Sequence, residues 1–327
     1  MIFSVIKTIK CFLILLLYSI TLLPPASADQ LQYSRVLSDE HYQFQYQWLD
    51  YQQKKQSLAF TLPADILYNS FRSFKAYRSS IASKVVMRNV QRILNQTPIE
   101  GVNVQFLTMG LAHNAHTNIK ITGSDHITVK KAHAQVRILQ QQEINRYYRK
   151  HYYQPFTDHH NNAAIKVDHG RVAQASVEAF KPISKEILEQ VKVKDVRLVT
   201  NFILGFMQSI PYSTLESKAS SSGAGFNPPM KLLYENQGDC DSKMALTVAL
   251  LKATMPNINI IMVYIEEHVF IGINTNALAG DKTLEHNNRL YVLADPTGPS
   301  TMKLGGISPD AEMAINQSAY VVERYRN

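Results

Sequence analysis

Between residues 41 and 62 apolar positions alternate with polar ones. Phe44, Tyr46 and Trp48 fall in one stretch and Leu58, Phe60 and Leu62 in the next, with a polar connector at 52–56. A period of two is that of a half-buried strand, so the pattern predicts a β-hairpin that Pro63 ends. Over 66–95 the spacing lengthens to threes and fours, through Phe71, Phe74, Val85, Val86, Val90, Ile93 and Leu94, which predicts helix. Residues 102–140 return to short β-like runs (VNVQFLTM, NIKIT, HITV, AQVRIL) separated by Gly, Asn, Ser and Asp. The stretch 141–180 is polar, rich in Gln, Tyr and His, and shows no period. Residues 29–180 thus read as an α+β region of unknown role.

The pattern is firmer from Lys181-Pro182 onward. Val199, Phe202, Ile203, Phe206, Met207 and Ile210 fall at i, i+3, i+4, i+7, i+8 and i+11, the stripe of a core-facing helix, which Pro211 stops. Residues 213–229 are rich in Ser and Gly and then stiffened by proline, a loop able to move. A largely apolar helix is predicted from Cys240 to about Ala253, with Asp239 as its N-cap. β-like runs follow at 258–265, 268–273 and 290–294. Helix followed by strands reads as α+β and defines a second unit, 181–327.

The N-terminus does not belong to either unit. Lys7 and Lys10 precede an apolar run at 11–23, and Pro24-Pro25 break it ahead of Ala26-Ser27-Ala28. That is a signal peptide over 1–28 with cleavage near Asp29. The run is too short for the roughly 20 residues of a membrane-spanning helix. The expectation is an exported chain, periplasmic or secreted, with no stable membrane insertion after cleavage. Cys11 falls in the removed segment and has no lipobox before it. Losing residues 1–28 deletes two lysines and no acid, so the net charge falls from +8 to +6. This modest basic excess suits acidic envelope polymers or lipid headgroups. An excess this modest is a poor argument for nucleic-acid binding.

Export changes the meaning of Cys240, the one cysteine left in the mature chain. It cannot close an intrachain disulfide. It stands in Gln237-Gly238-Asp239-Cys240-Asp241-Ser242-Lys243. A free thiol titrates at about 8.5, and the first turn of a helix lowers that value through unpaired backbone N–H groups and the positive dipole end. Gly238 allows the tight entry turn. A base is available in His268, which opens a β-like run after Glu266-Glu267. Asp295 ends the next run, and Pro296 holds it extended. If these strands pair, His268 and Asp295 lie side by side near one sheet edge, with the Cys240 helix packed across the sheet. An imidazole between thiol and carboxylate is the general triad arrangement. Taken singly, Cys240 reads as a buried inert thiol, His268 as a strand-end histidine and Asp295 as a turn residue.

Gly-Asp-Cys before an apolar helix, then His opening a strand, then Asp-Pro-Thr after another, resembles the transglutaminase-like cysteine proteinase superfamily. Phe206-Met207-Gln208-Ser209-Ile210-Pro211-Tyr212 is similar to the segment preceding the cysteine in bacterial members. The resemblance covers about 195–300 and does not reach 29–180. It implies a papain/transglutaminase-like core in which Cys240 is the nucleophile, His268 the general base and Asp295 its orienting partner. It also implies attack on an amide carbonyl and an acyl-enzyme resolved by water or by an amine. The backbone N–H of Cys240 is one oxyanion donor, with Gln208 or Gln237 as side-chain candidates. Asp241 and Lys243 position the loop or form an ordinary solvated first turn.

The expectation is therefore an exported, cofactor-free thiol hydrolase acting on amide or peptide bonds of envelope proteins or cell-wall peptides. The alternatives are a crosslinking acyltransferase and an inactive envelope binding module, and a partner-recognition role for 29–180 also stands. For Tyr42, Phe44, Tyr46, Trp48 and Tyr51 a hydrophobic hairpin core is expected over a recognition surface. Asp158-His159-His160 reads as a solvated stretch without ligand spacing, and His113 and His116 lack a completing ligand, so no metal site is expected.

Overall fold

The computed structural model describes residues 30–71, 74–110, 116–217 and 225–325. The expected signal segment, His113 and the middle of the 213–229 loop lie outside them. The chain is α+β with antiparallel sheets. Among the described residues no helix is long and apolar enough to cross a membrane.

The alternating stretch forms β2 (His41–Leu49) and β3 (Lys55–Pro63), paired so that Phe44 faces Phe60 and Tyr46 faces Leu58. A third strand, β1 (Gln30–Ser38), adds to β2. Its apolar residues Leu31, Val36 and Leu37 are exposed, so it carries no alternating burial for a sequence pattern to reveal.

The helix expected over 66–95 divides into α1 (Ala64–Asn69) and α2 (Ser79–Gln96). β4 (Val102–Met109) and β5 (His116–Gly123) pair as a hairpin. The runs HITV and AQVRIL, expected as strands, instead lie in a long helix, α3 (His126–His151). Asp125 caps it by accepting from the Thr128 N–H at 2.8 Å. Its buried residues Ala132, Val136 and Glu143 recur at helical spacing. That period shows only over the whole 26 residues, and four-residue windows of β-branched residues conceal it.

The unreadable stretch closes with β6 (Tyr153–Thr157), β7 (Ala163–Val167), α4 (His169–Ser176) and α5 (Lys181–Val191). The second half holds α6 (Val196–Ser209), α7 (Pro229–Glu235) and α8 (Cys240–Thr254). A five-stranded antiparallel sheet follows, built from β8 (Ile260–Ile265), β9 (His268–Ile273), β10 (Thr283–His286), β11 (Arg289–Ala294) and β12 (Val321–Arg324). Its order is β10-β11-β9-β8-β12, and α9 (Pro309–Asn316) precedes the last strand.

One hydrophobic cluster runs through both halves of the chain. It joins Met244, Val248 and Leu251 of α8 to Met262, Ile271 and Val292 of the sheet. It also takes in Tyr42, Phe44, Tyr46 and Trp48 of β2. Tyr46 meets Phe206 edge-on with ring centres 4.8 Å apart, and Trp48 lies 5.2 Å from Phe202. Gly205 permits this approach, since a Cβ there would sit 2.9 Å from the indole nitrogen. The aromatic residues of β2 are therefore core. The expected boundary at 180/181 marks a change in sequence character and is crossed by this packing. A second cluster, including Val86, Val90, Ile121 and Val136, is confined to α2, β4, β5 and α3 and their connections.

Candidate active site

Cys240 is the first residue of α8, where the helix meets the end of the central strands. The entry is fixed on both sides. Asp239 accepts from the Ser242 N–H at 3.0 Å and from the Ser242 hydroxyl. Upstream, Tyr212 and Gly238 form a parallel bridge, with Gly238 N–H donating to the Pro211 carbonyl at 3.2 Å. Gly238 is required by closeness, not by an unusual turn: a Cβ there would lie 2.6 Å from Leu232 Cδ1. Cys240 is partly exposed and carries a free thiol.

His268 opens β9 after a turn in which Glu267 takes a left-handed conformation (φ +57°). β9 pairs antiparallel with β11, Ile271 opposite Ala294, which brings the residue after β11 alongside. His268 and Asp295 thus meet at strand ends in the middle of the sheet rather than at its edge. His268 Nδ1 lies 3.2 Å from Cys240 Sγ, and its Nε2 lies 2.7 Å from Asp295 Oδ2. The second oxygen, Oδ1, accepts from the Thr297 N–H at 2.9 Å. Burial pulls the imidazole's pKa down, but hydrogen bonds and charge from Asp295 and Cys240 outweigh it and hold it up at about 10.

Gln208 is brought to this site in a role other than the expected one. Its side-chain N–H groups donate to the carbonyls of Asp295 (2.8 Å) and Met302 (2.9 Å), and its oxygen accepts from the Met302 N–H. Both donors are spent, so none is left for an oxyanion, and the residue fastens the Asp295 loop. Gln237 is half-buried just before the helix, and its carbonyl accepts from the Asn227 side chain at 3.2 Å.

Lys243 overturns the reading of a solvated first turn. It is fully buried, and its ammonium donates to the carbonyls of Ile210 and Thr297. Burial lowers its pKa to about 8, against the opposing charges of Cys240, Asp295 and Asp239. A lysine three residues after the cysteine on a helix with little polar face was the available signal for this. Asp239 is pushed up to about 7, by burial and then by the Asp241 charge, against its hydrogen bonds with Ser242.

The cysteine opens onto a cleft of about 530 Å³. Tyr212, Asp239 and Asp241 line it beside Cys240, as do Glu266 and Glu267 of the β8–β9 turn. The β6–β7 turn lines it too, with Asp158, His159 and His160. Asp158 is occupied in closing that turn, accepting from the N–H groups of His160 and Asn162. Among the described residues no group of three or more His, Cys, Asp or Glu is placed to hold a metal ion. Behind the wall, buried His169 has its Nδ1 3.1 Å from the Tyr264 hydroxyl and its Nε2 3.5 Å from Asp241. Burial lowers its pKa to about 4, although the Asp241 charge opposes this.

Chemically, the arrangement offers a thiol next to a base that a buried carboxylate orients, at the mouth of an open cleft. No family model, curated protein or solved structure matches the chain.

Proposed function

We propose that the protein is a thiol-dependent hydrolase of amide or peptide bonds, with a transglutaminase-like arrangement of the Cys240 helix on an antiparallel sheet. The observation that carries this reading is His268 bridging Cys240 Sγ and Asp295 Oδ2 through its two ring nitrogens. With the proton on the ring, the sulfur attacks the carbonyl carbon as a thiolate. The carbonyl oxygen becomes an oxyanion facing the Cys240 N–H, one of the orphan donors at the helix start. Tyr212, at the cleft wall beside the sulfur, is the side-chain donor best placed to join it. When the tetrahedral centre collapses, the C–N bond breaks and His268 Nδ1 gives its proton to the departing amine. Water then loses a proton to His268 and attacks the thioester, releasing the acid and restoring the thiol–imidazole pair. An amine in place of water would give crosslinking. The acidic lining residues Asp241, Glu266 and Glu267 are the feature that favours a cationic amine entering.

The test is incubation with a mixed peptide library, with and without added cadaverine, read by mass spectrometry for wild type and Cys240→Ala. Cleaved or deamidated peptides formed by wild type alone support hydrolysis, and cadaverine adducts would move the reading to acyl transfer. Iodoacetamide labelling of Cys240 gives a substrate-free check, with slower labelling expected in His268→Ala. Products identical in Cys240→Ala, or labelling indifferent to His268, would sink the proposal.

A further inference from the structure

The chain's positive charge is not spread over the molecule. Residues 79–151 contain ten lysines and arginines against three acids, Glu100, Asp125 and Glu143, a net +7. The other 254 residues share the remaining +1 of the chain's +8. This segment is α2, β4, β5 and α3, the part with its own hydrophobic cluster. Two of its acids are already engaged: Asp125 caps α3, and Glu143 is buried against Asn89 and Arg146.

The geometry gathers six of these ten cations on one side. α2 and α3 pack on each other and on the β4–β5 hairpin, so their outward faces form a single helical layer. On α2 the outward face carries Lys84, Arg88 and Arg92 at four-residue spacing, all exposed. On α3, opposite the buried Ala132 and Val136, Lys130, Lys131 and Arg137 are exposed. Among them stand two large aliphatic side chains in solvent, Ile127 (67% exposed) and Ile138 (59%). A soluble helix needs neither, and both lie on the basic face, not on the packed one.

We propose that this helical layer docks on a bilayer surface rich in anionic lipid. Cationic side chains held near such a surface gain from its negative potential, and exposed aliphatic residues between them enter the headgroup–acyl boundary. A nucleic acid would be met by exposed aromatic stacking residues between the cations; between Lys130, Lys131 and Arg137 this face presents isoleucine instead, and Tyr147 and Tyr148, beside Arg146 and Arg149, are half-buried against His151 and Tyr77. The layer lies on the surface, since neither helix is apolar enough to span it.

The test is co-sedimentation of the mature chain with vesicles of equal parts phosphatidylglycerol and phosphatidylcholine, compared with phosphatidylcholine alone. Binding to the anionic vesicles, weakened by salt, is expected. Lys130→Glu/Lys131→Glu/Arg137→Glu should lower the partition coefficient at least about tenfold. Ile127→Ser/Ile138→Ser should remove the part of binding that survives high salt. These positions are exposed, and unchanged circular dichroism would show that the variants fold. If the triple variant misfolds, the isoleucine pair alone decides. Equal binding to both vesicle types, no binding at low salt, or retention on heparin or DNA without vesicle binding would overturn the proposal.

Discussion

Lys243 is a buried cation satisfied by two carbonyls instead of by a carboxylate. Lys243→Met keeps the chain length but leaves both carbonyls without their donor, at a cost of about 1–3 kcal/mol each. We expect urea melts to show that loss and Cys240 alkylation to slow, because the helix start that carries the sulfur loses its anchor to Ile210 and Thr297. His268 has a signed pH consequence. Its folded pKa of about 10 exceeds the ordinary 6.5, so its contribution to stability is complete below 6.5 and is lost as pH rises through about 10. Asp295→Asn should move the ring's titration, followed by NMR, back towards 6.5. His169 has the opposite sign. It binds a proton only at about 4 when folded and at 6.5 when unfolded, so acidification through that window destabilises the fold, on the order of 3 kcal/mol. Asp239, raised to about 7, runs the other way over nearly the same range. The clean measurement is therefore the difference between wild type and His169→Gln, which should shrink as pH falls from 6.5 to 4.

At the scale of elements, α8 is the decisive one, and both of its determinants lie outside its helical turns. Asp239→Ala should cost about 1 kcal/mol as a lost cap. Gly238→Ala should leave most of the fold intact yet slow labelling of Cys240, because the new methyl meets Leu232 and the entry turn must move. Alkylation rates beside thermal melts separate the two effects. The same element shows what a sequence discloses. The end of α6, the extent of α8 and the runs that form β8, β9 and β11 followed from the sequence pattern, because each buries an unbroken apolar stripe or run; the pairing of β9 with β11 entered only as a condition, and that of β8 was not read. The short strands β10 and β12 and the helix α9 were not legible, since elements of four to eight residues offer too few positions for a period to emerge. Cys240, His268 and Asp295 were legible because each begins an element or directly follows one. The second role of Gln208 was not, because its partners are carbonyls far along the chain, and composition says nothing of backbone acceptors.

Considered whole, the molecule packs across the point where its sequence changes character. Trp48 and Tyr46 cover Phe202 and Phe206, so residues 181–327 expressed alone would bare that face of α6 to water. We expect the fragment to be insoluble or unfolded by circular dichroism and to recover when co-expressed with 30–180. The β2–β3 hairpin is then part of the body that carries the candidate site. The site likewise depends on distant chain: the β6–β7 turn supplies one wall of the cleft, and nothing local in Asp158-His159-His160 announces it.

The ammonium of Lys243 touches the end of α6 and the Asp-Pro-Thr loop while its own backbone belongs to the helix of the sulfur. Three stretches of chain are thereby referred to one point. A fluctuation that carries Asp295 away from His268 must also tear its loop from that anchor. The tolerance of the thiol–imidazole–carboxylate line is therefore set by the stiffness of a buried helix, although one of its members stands on a loop.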